Sequence, residues 1–200
     1  MPDTRLHFVK TVQGLGRFEL FRLRIPEDIA LLHRWMTLPY AHFWGLQGAS
    51  ADEVEAEYRT LATRSNIFLG YRNGEPAFLL ERYDPRLEPV GRHYAVADGD
   101  CGMHILLSPP DRPVAGFSWA VFSLVMEFLF SDEQVCRVVV EPDMHNDRIH
   151  RLNRRAGFEY DRFIELPGKT AHLAFCTREQ YRRALRLPNP ICKRKGLTTA

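Results

Sequence analysis

The chain has 200 residues, of which 45% are hydrophobic and 26% are charged. This is ordinary globular composition, with enough length for one well-buried domain rather than two. The 27 Lys and Arg nearly balance the 25 Asp and Glu, so no strong field would recruit nucleic acid or a membrane, and a small polar or anionic ligand is favoured. We expect one domain over residues 1–187, a flexible tail over 188–200, and a monomer or homodimer.

The cysteines and the apolar segments indicate the compartment. Cys101, Cys136, Cys176 and Cys192 have neither a CxxC spacing nor the density of a disulfide framework. The N-terminus has no apolar leader, and the longest apolar stretch, 115–130, is interrupted by polar residues and too short to cross a bilayer. We therefore expect reduced thiols, a cytoplasmic protein and no metal cofactor.

Hydrophobic patterns predict seven strands and five helices along the chain. Ser50 and Glu53 have the spacing of a capping box, and Asn73-Gly74 is the strongest hairpin signal. A strand, helix, strand unit in the second half implies a parallel crossover within a mixed sheet. The strands are expected over 18–25, 67–71, 77–83, 102–107, 135–140, 158–166 and 170–176, and the helices after Pro26, after Ser50, over 114–130, over 146–156 and after Thr177.

The segment 146–158 contains a recognisable sequence pattern. Asn146 follows the fifth predicted strand, and a helix runs from it to Gly157-Phe158, eleven positions on. By itself this pattern is equally a plain helix with a glycine C-cap. Together with the order of elements, it resembles the GNAT superfamily of acyl-CoA N-acyltransferases.

The resemblance is sharpest to the acyltransferases of hydroxamate siderophore synthesis, of aerobactin, alcaligin and desferrioxamine type, and extends over residues 15–187. It implies a GNAT fold of the mixed α/β (α+β) class. The central sheet would be mixed and mostly antiparallel, with about seven strands, splayed parallel fourth and fifth strands, and helices on both faces. The segments that carry the resemblance are 39–45, 100–104, 141–143 and 166–171.

The same resemblance implies an enzyme that transfers acetyl or succinyl from acyl-CoA to the nitrogen of a hydroxylated diamine or lysine. His104 in the fourth strand and Asp143 after the fifth would meet where these strands splay, because ligands favour the carboxyl ends of parallel strands. We expect a neutral His104 to take the proton from the nitrogen while Asp143 orients the imidazole or the N-hydroxyl group. The alternatives are a hydrogen-bonded core histidine and a turn-forming or helix-capping aspartate.

The acyl-CoA site is expected where the loop before the third helix meets that helix, because its N-terminal amides favour a pyrophosphate. Pro113 replaces the Gln or Arg that is usual in this loop, and an ordinary Pro-started helix explains the loop equally well. Asn153 stands where many members have the Tyr that protonates the leaving thiolate. The candidate cofactor residues are Leu106, Ser108, Arg112, Gly116, Phe117, Ser118, Asn146 and Asn153.

The acceptor site has weaker candidates. His42 and Trp44 are expected to form one wall, although aromatic residues after the first helix are more often part of the core. Glu81 or Asp84 could bind a cationic amine at the far end. Lys169, at the tip of a hairpin turn, would meet solvent or the carboxylate of a succinyl group.

Two other functions fit the same sequence. The first is a GNAT enzyme that acts on an aminoglycoside or a protein N-terminus, because a fold does not fix a substrate. The second is a non-catalytic CoA-binding or partner-binding module, which Pro113 and Asn153 make plausible. The joint presence of His104 and Asp143 favours the enzyme.

Overall fold

A computed structural model describes residues 6–109 and 113–186. Its eight strands form one sheet in the order β1-β2-β3-β4-β5-β6-β8-β7. The strands are β1 Leu6–Val12, β2 Gly16–Arg22, β3 Ser65–Arg72, β4 Glu75–Tyr83, β5 Asp100–Leu107, β6 Arg137–Val140, β7 Glu159–Leu166 and β8 Lys169–Thr177. The helices are α1 Ile29–Met36, α2 Ala51–Leu61, α3 Phe117–Ser131, α4 Asp147–Ala156 and α5 Arg178–Arg186, with short 3₁₀ helices at Pro39–Trp44, Pro85–Leu87 and Pro89–Arg92.

The sheet is mixed and mostly antiparallel, as predicted. Of the neighbouring pairs, β5 and β6 are parallel and the others antiparallel. The prediction of about seven strands missed β1, which pairs with β2 at the edge of the sheet. Residues of β1 alternate between half-buried and exposed instead of being fully buried, so their apolar pattern is weak. The alternation of Leu6, Phe8 and Val12 was the available signal.

Helices cover both faces of the sheet, which confirms that prediction. Successive strand side chains point to opposite faces, so Phe68 and Leu80 join a core with α3, whereas Leu69 and Leu79 join a second core with α1 and α2. α4 and α5 contribute to the α3 face through Ala156 and Tyr181. Ile67, Leu69 and Leu79 therefore face α1 and α2.

Several boundaries of helices and strands were predicted correctly from short sequence patterns. Ser50 and Glu53 form both hydrogen bonds of a capping box at the start of α2, and Asn73-Gly74 makes the hairpin turn with left-handed φ angles of 52° and 85°. The first helix starts at Ile29 rather than directly after Pro26. Residues 26–28 form a turn instead, because the Asp28 carboxylate accepts the backbone N–H of Arg24 at 2.8 Å.

The parallel pairing of β5 with β6 is short. Three residue pairs join the strands, from Asp100 with Arg137 to Gly102 with Val139. Beyond these pairs the strands separate, which confirms the predicted splay. The carboxyl ends of both strands thus border an opening in the sheet, the kind of place where ligands bind in open α/β sheets.

Arg112, a predicted cofactor-binding residue, and residues 188–200, the predicted tail, lie outside the described residues. Within the described ranges, no helix is both long enough and apolar enough to cross a membrane.

Candidate active site

His104 lies at the centre of a charged cluster where β5 leaves β6. The antiparallel register places Glu81 of β4 directly opposite His104, and His104 Nδ1 is 3.0 Å from Glu81 Oε2. On its other side, Nε2 is 2.6 Å from Glu141 Oε1. Both carboxylates are buried, at 5% exposure each, whereas 37% of the His104 side chain is exposed. The imidazole is thus held between two acidic groups.

This geometry decides the charge of the imidazole. Burial alone would lower the pKa of His104, but the charge and hydrogen bond of Glu141, joined by those of Glu81, raise it to about 10. Burial would likewise raise the pKa of Glu141, and the His104 charge and hydrogen bond lower it. Near pH 7 the ring is a cation with both N–H groups donating. This corrects the expectation of a neutral His104 that accepts a proton.

Two buried tyrosines complete the hydrogen bonds of the carboxylates. Tyr58 of α2 donates to Glu81 at 2.7 Å, and Tyr83 of β4 donates to Glu141 at 2.8 Å. Burial, followed by the charge of the neighbouring carboxylate, raises the pKa of each tyrosine, so both remain protonated donors. Buried charges persist only when they are paired and hydrogen-bonded, and this cluster meets that condition.

Asp143 follows β6 and forms a turn. Its Oδ1 accepts the backbone N–H of His145 at 2.8 Å and lies 3.1 Å from the ring Nδ1 of the same residue. A backbone bridge joins it to Ala171 of β8. Asp143 lines the same cavity as His104, but Glu81 and Glu141 orient the imidazole. Glu141 occupies the position beside the ring that was predicted for Asp143, and the alternative role of Asp143, contact with the N-hydroxyl group, stays a prediction.

The cavity at His104, the acceptor cavity, has a volume of about 1030 Å³. All four predicted acceptor residues line it: His42, Trp44, Glu81 and Lys169. The Trp44 indole donates to Tyr58 at 3.2 Å and packs edge-on 6.2 Å from the His104 ring. His42 is exposed. Trp44 thus forms a wall and also belongs to the hydrogen-bonded cluster.

Two acceptor expectations need correction. Glu81 is not at the far end of the cavity, because it contacts His104 directly, and Asp84 caps a 3₁₀ helix through Arg86 N at 2.9 Å. Lys169 does not point into solvent. Its Nζ donates to the backbone oxygen of Glu141 at 2.8 Å, because the β7–β8 hairpin packs beside β6, and 27% of the side chain is exposed.

A second cavity, the arginine-lined cavity, lies between α3, α4 and α5, with a volume of about 1250 Å³. Guanidinium groups match phosphates in geometry and charge. The two cavities adjoin, because Ile105, Phe122 and four residues of the α4 region line both. The arginines of the second cavity are Arg148, Arg151, Arg154, Arg155 and Arg183.

The predicted cofactor residues are divided between these places. Ser118 lines the arginine-lined cavity, Leu106 and Asn153 line the acceptor cavity, and Asn146 lines both. Side chains alternate along β5, so Leu106 shares the face of His104, and Ile105 is the β5 residue that borders both cavities. Ser108, Gly116 and Phe117 are absent from both linings.

The Phe117 ring packs on Phe18 of the core, with centroids 6.2 Å apart, and Ser108 donates its backbone N–H to Ala77. Gly116 starts α3 with a left-handed φ of 77°, which glycine adopts without strain. These three residues therefore shape the loop and the start of the helix.

Asn153 is fully buried and belongs to a directed chain of hydrogen bonds. His150 Nε2 is 3.0 Å from the backbone oxygen of Asp143, so this nitrogen carries the proton. Nδ1 then accepts from Tyr160 at 2.7 Å, and Tyr160 accepts from Asn153 Nδ2 at 2.9 Å. Asn153 Oδ1 has no hydrogen-bond partner among residues 6–109 and 113–186. An amide in this position does not supply the proton that a tyrosine would.

Two features of the site were not predicted from the sequence. The first is Glu141 as the partner of His104, and the second is the set of arginines on α4. Glu141 could have been recognised as a charged residue that directly follows the apolar run of β6. The arginines recur on α4 at spacings of three and four, which place them along one side of a helix.

The sequence matches the acetyltransferase (GNAT) domain family over residues 24–166. The chain therefore belongs to this family and is an acetyltransferase of the GNAT type, with acyl-CoA as co-substrate. Among the parts of the chain that the structure describes, no group of three or more His, Cys, Asp or Glu is placed to hold a metal ion.

Several known proteins are similar to this chain. N-hydroxyputrescine acetyltransferase of Acinetobacter baumannii is 26% identical over 88% of this chain and 85% of its own length. N(6)-hydroxylysine O-acetyltransferase of Escherichia coli is 25% identical over 84% of this chain, which spans 54% of that relative. Aminoglycoside N(6')-acetyltransferase type 1 of Serratia marcescens is also 25% identical, over 82% of this chain and 86% of its own length.

Solved structures agree on the fold. The crystal structure of an uncharacterized protein from Bacillus halodurans has a TM-score of 0.83 at 20% identity, covering 91% of this chain and 95% of its own. The structure of AAC(6')-Ib with paromomycin and acetyl-CoA has a TM-score of 0.75 at 24% identity, covering 86% of this chain and 99% of its own. The mixed GNAT fold is confirmed.

Proposed function

We propose that this acetyltransferase acylates the nitrogen of an N-hydroxylated amine, with acetyl-CoA or succinyl-CoA as donor, in hydroxamate siderophore biosynthesis. The charge state of His104 carries the proposal. Its two ring nitrogens both donate hydrogen bonds, and its pKa of about 10 keeps it cationic. Apart from the exposed His42 and His145, the proton acceptors that line the cavity are carboxylates, which are weak bases.

An alkyl amine is protonated at neutral pH and needs a strong base before it can attack a thioester. In an N-hydroxy amine, the oxygen withdraws electron density and lowers the basicity of the nitrogen, so this amine is already unprotonated. A carboxylate suffices to take the proton that the nitrogen loses during attack. The chemistry available near His104 therefore favours a hydroxylated acceptor.

In this proposal Asp143 is the proton acceptor, because its carboxylate lines the cavity and, among the residues that the structure describes, is contacted only by His145. The nitrogen attacks the thioester carbon, the C–S bond breaks, and the nitrogen's proton passes to the carboxylate and finally to the thiolate. His104 keeps Glu81 and Glu141 in place. His104 and Lys169, whose Nζ lies 4.0 Å from Glu141 Oε1, together balance the charges of Glu81 and Glu141.

The arginine-lined cavity supports the position of the donor. Its five guanidinium groups suit the phosphates of CoA. Because Ile105 and Phe122 line both cavities, a thioester that extends from the arginine-lined cavity would reach the acceptor cavity. This arrangement brings the acyl carbon and the nitrogen together.

The second candidate acceptor is an aminoglycoside, favoured by the similarity to an aminoglycoside acetyltransferase over most of both chains. Rates of thiol release with N-hydroxyputrescine, putrescine and kanamycin, each with acetyl-CoA and succinyl-CoA, separate the two. We expect kcat/KM for N-hydroxyputrescine to exceed that for putrescine by at least about a hundredfold. Equal values would contradict the proposal, and faster turnover of kanamycin would support the second candidate.

A further inference from the structure

His150 is a buried titratable residue that the proposed reaction does not use. It lies on α4 and is 4% exposed, and both of its ring nitrogens have a partner. Nε2 donates to the backbone oxygen of Asp143 at 3.0 Å, and Nδ1 accepts from the Tyr160 hydroxyl at 2.7 Å. A buried polar ring with both nitrogens hydrogen-bonded holds its partners in place. His150 therefore joins α4 to the turn that follows β6.

The main chain of this turn is held from two sides. On the side of β8, the N–H of Met144 donates to the Thr170 backbone oxygen at 3.0 Å. On the side of α4, the Asp143 backbone oxygen accepts twice, from the N–H of Asn146 at 3.0 Å and from the ring of His150. The contact from His150 comes from a side chain, so a substitution can remove it while the backbone hydrogen bonds remain.

The opposite side of α4 borders the place proposed for the donor. Arg148 and Arg151 line the arginine-lined cavity, whereas His150 and Asn153 are buried against the sheet, as the period of 3.6 residues per turn requires. A donor bound by these arginines and the carboxylate of Asp143 are thus positioned by one helix.

We infer that His150 is a positioning residue for acyl transfer, which holds the Asp143 carboxylate at a fixed place relative to the thioester bound beside α4. The inference rests on the proposed function, in which Asp143 takes the proton of the attacking nitrogen. A base acts only within hydrogen-bond reach of the proton that it takes, and a misplacement of about 1 Å can cost on the order of a hundredfold in rate. Loss of the Nε2 contact should therefore lower kcat, while donor binding is retained because the arginines are untouched.

The test compares His150→Gln with His150→Asn. The glutamine amide nitrogen reaches about the position of the ring Nε2 and can donate to the Asp143 oxygen. The asparagine side chain is shorter by one methylene and ends near the position of Nδ1. His172→Asn is the matched control, because the His172 ring lies 6.1 Å from that of His150, packs on Phe163 and lines neither cavity.

Thiol release gives kcat and the KM for acetyl-CoA, and calorimetry gives the Kd for CoA, at a temperature where thermal unfolding shows every variant to be folded. The acceptor is N-hydroxyputrescine. A wild type that acylates kanamycin and not N-hydroxyputrescine contradicts the proposed function, and the variants are then compared on kanamycin. The two failures are thereby separated. If His150→Asn does not fold, His150→Leu, which also lacks a donor, takes its place.

We expect His150→Asn to lower kcat about ten- to a hundredfold, with the KM for acetyl-CoA and the Kd for CoA unchanged. His150→Gln should stay within about threefold of wild type, and His172→Asn should match wild type. In an Asp143→Asn background, the difference between His150→Gln and His150→Asn should vanish, because both act through that carboxylate. Equal kcat values for His150→Gln and His150→Asn, an equal fall in His172→Asn, or a difference that persists without the carboxylate would overturn the inference.

Discussion

His104 and Glu141 form a hydrogen bond across the place where two parallel strands separate, with Nε2 and Oε1 2.6 Å apart. The ladder between β5 and β6 ends at Gly102 and Val139. His104 lies two positions further along β5, and Glu141 lies two positions after Val139, directly after the end of β6. Side chains two positions apart share a face of a sheet. The charged contact therefore continues the pairing of the strands after the backbone hydrogen bonds have stopped.

Replacing Glu141 by Gln should lower the pKa of His104. The charge of Glu141 is the largest influence that raises this pKa, against the opposing effect of burial. A proton titration of the imidazole followed by NMR would measure the change. Glu133→Gln, at an exposed position after α3, serves as the control. An unchanged titration in Glu141→Gln would mean that Glu141 does not set the charge of the ring.

The stability of the protein should depend on pH through His104. Its pKa is raised on folding, from an ordinary 6.5 to about 10. The stabilisation of the folded state by protonated His104 is therefore complete below about pH 6.5 and is lost as the pH rises through 10. We expect the difference in free energy of unfolding between wild type and His104→Gln to shrink over this interval in urea denaturation. A difference that stays constant from one end to the other would contradict a cationic ring.

Gly102 gives Tyr83 the space that it needs to reach Glu141. A Cβ at Gly102 would lie 2.0 Å from the Tyr83 ring. Gly102→Ala should therefore cost about 1–3 kcal/mol in free energy of unfolding, as overpacking does. Adding Tyr83→Leu removes the clash, so the double variant should lose less than the sum of the single losses in a double-mutant cycle. Strict additivity would locate the strain elsewhere.

Much of the fold was predictable because its signals are local. The capping box at Ser50, the turn at Asn73-Gly74 and the glycine at 157 each act over a few residues, and each was found where expected. β1 was missed because an exposed edge strand needs few buried side chains and so has a weak pattern.

The site was less predictable because it depends on pairing between distant segments. The alternation of side chains along β5 predicted which face of the sheet His104 lies on. The register that places Glu81 opposite His104 cannot be predicted from the sequence of either strand alone. The charge of the ring follows from two carboxylates, 23 and 37 residues away in sequence. A neutral base was the natural expectation for an isolated histidine.

Arg151→Gln should weaken CoA binding. Arg151 lines both cavities, and loss of one guanidinium contact to a phosphate should raise the Kd by about tenfold. Calorimetry with CoA at two salt concentrations measures the effect, which should diminish at the higher one. Arg182→Gln on α5, outside both linings, should bind CoA as wild type does. Equal affinities for the two variants would place the phosphates elsewhere.

Asp143→Asn tests the proton acceptor while keeping the turn. An asparagine oxygen can still accept the N–H of His145, as the Asp143 carboxylate does at 2.8 Å, so the backbone bridge to Ala171 should persist. The amide is no longer a base, and kcat with N-hydroxyputrescine should fall about 10²- to 10⁴-fold while the KM for acetyl-CoA stays constant. His145→Ala provides the control, because it removes the ring contact at 3.1 Å and leaves the carboxylate. Near wild-type turnover in Asp143→Asn would show that another group takes the proton, and an equal fall in both variants would assign the effect to the turn.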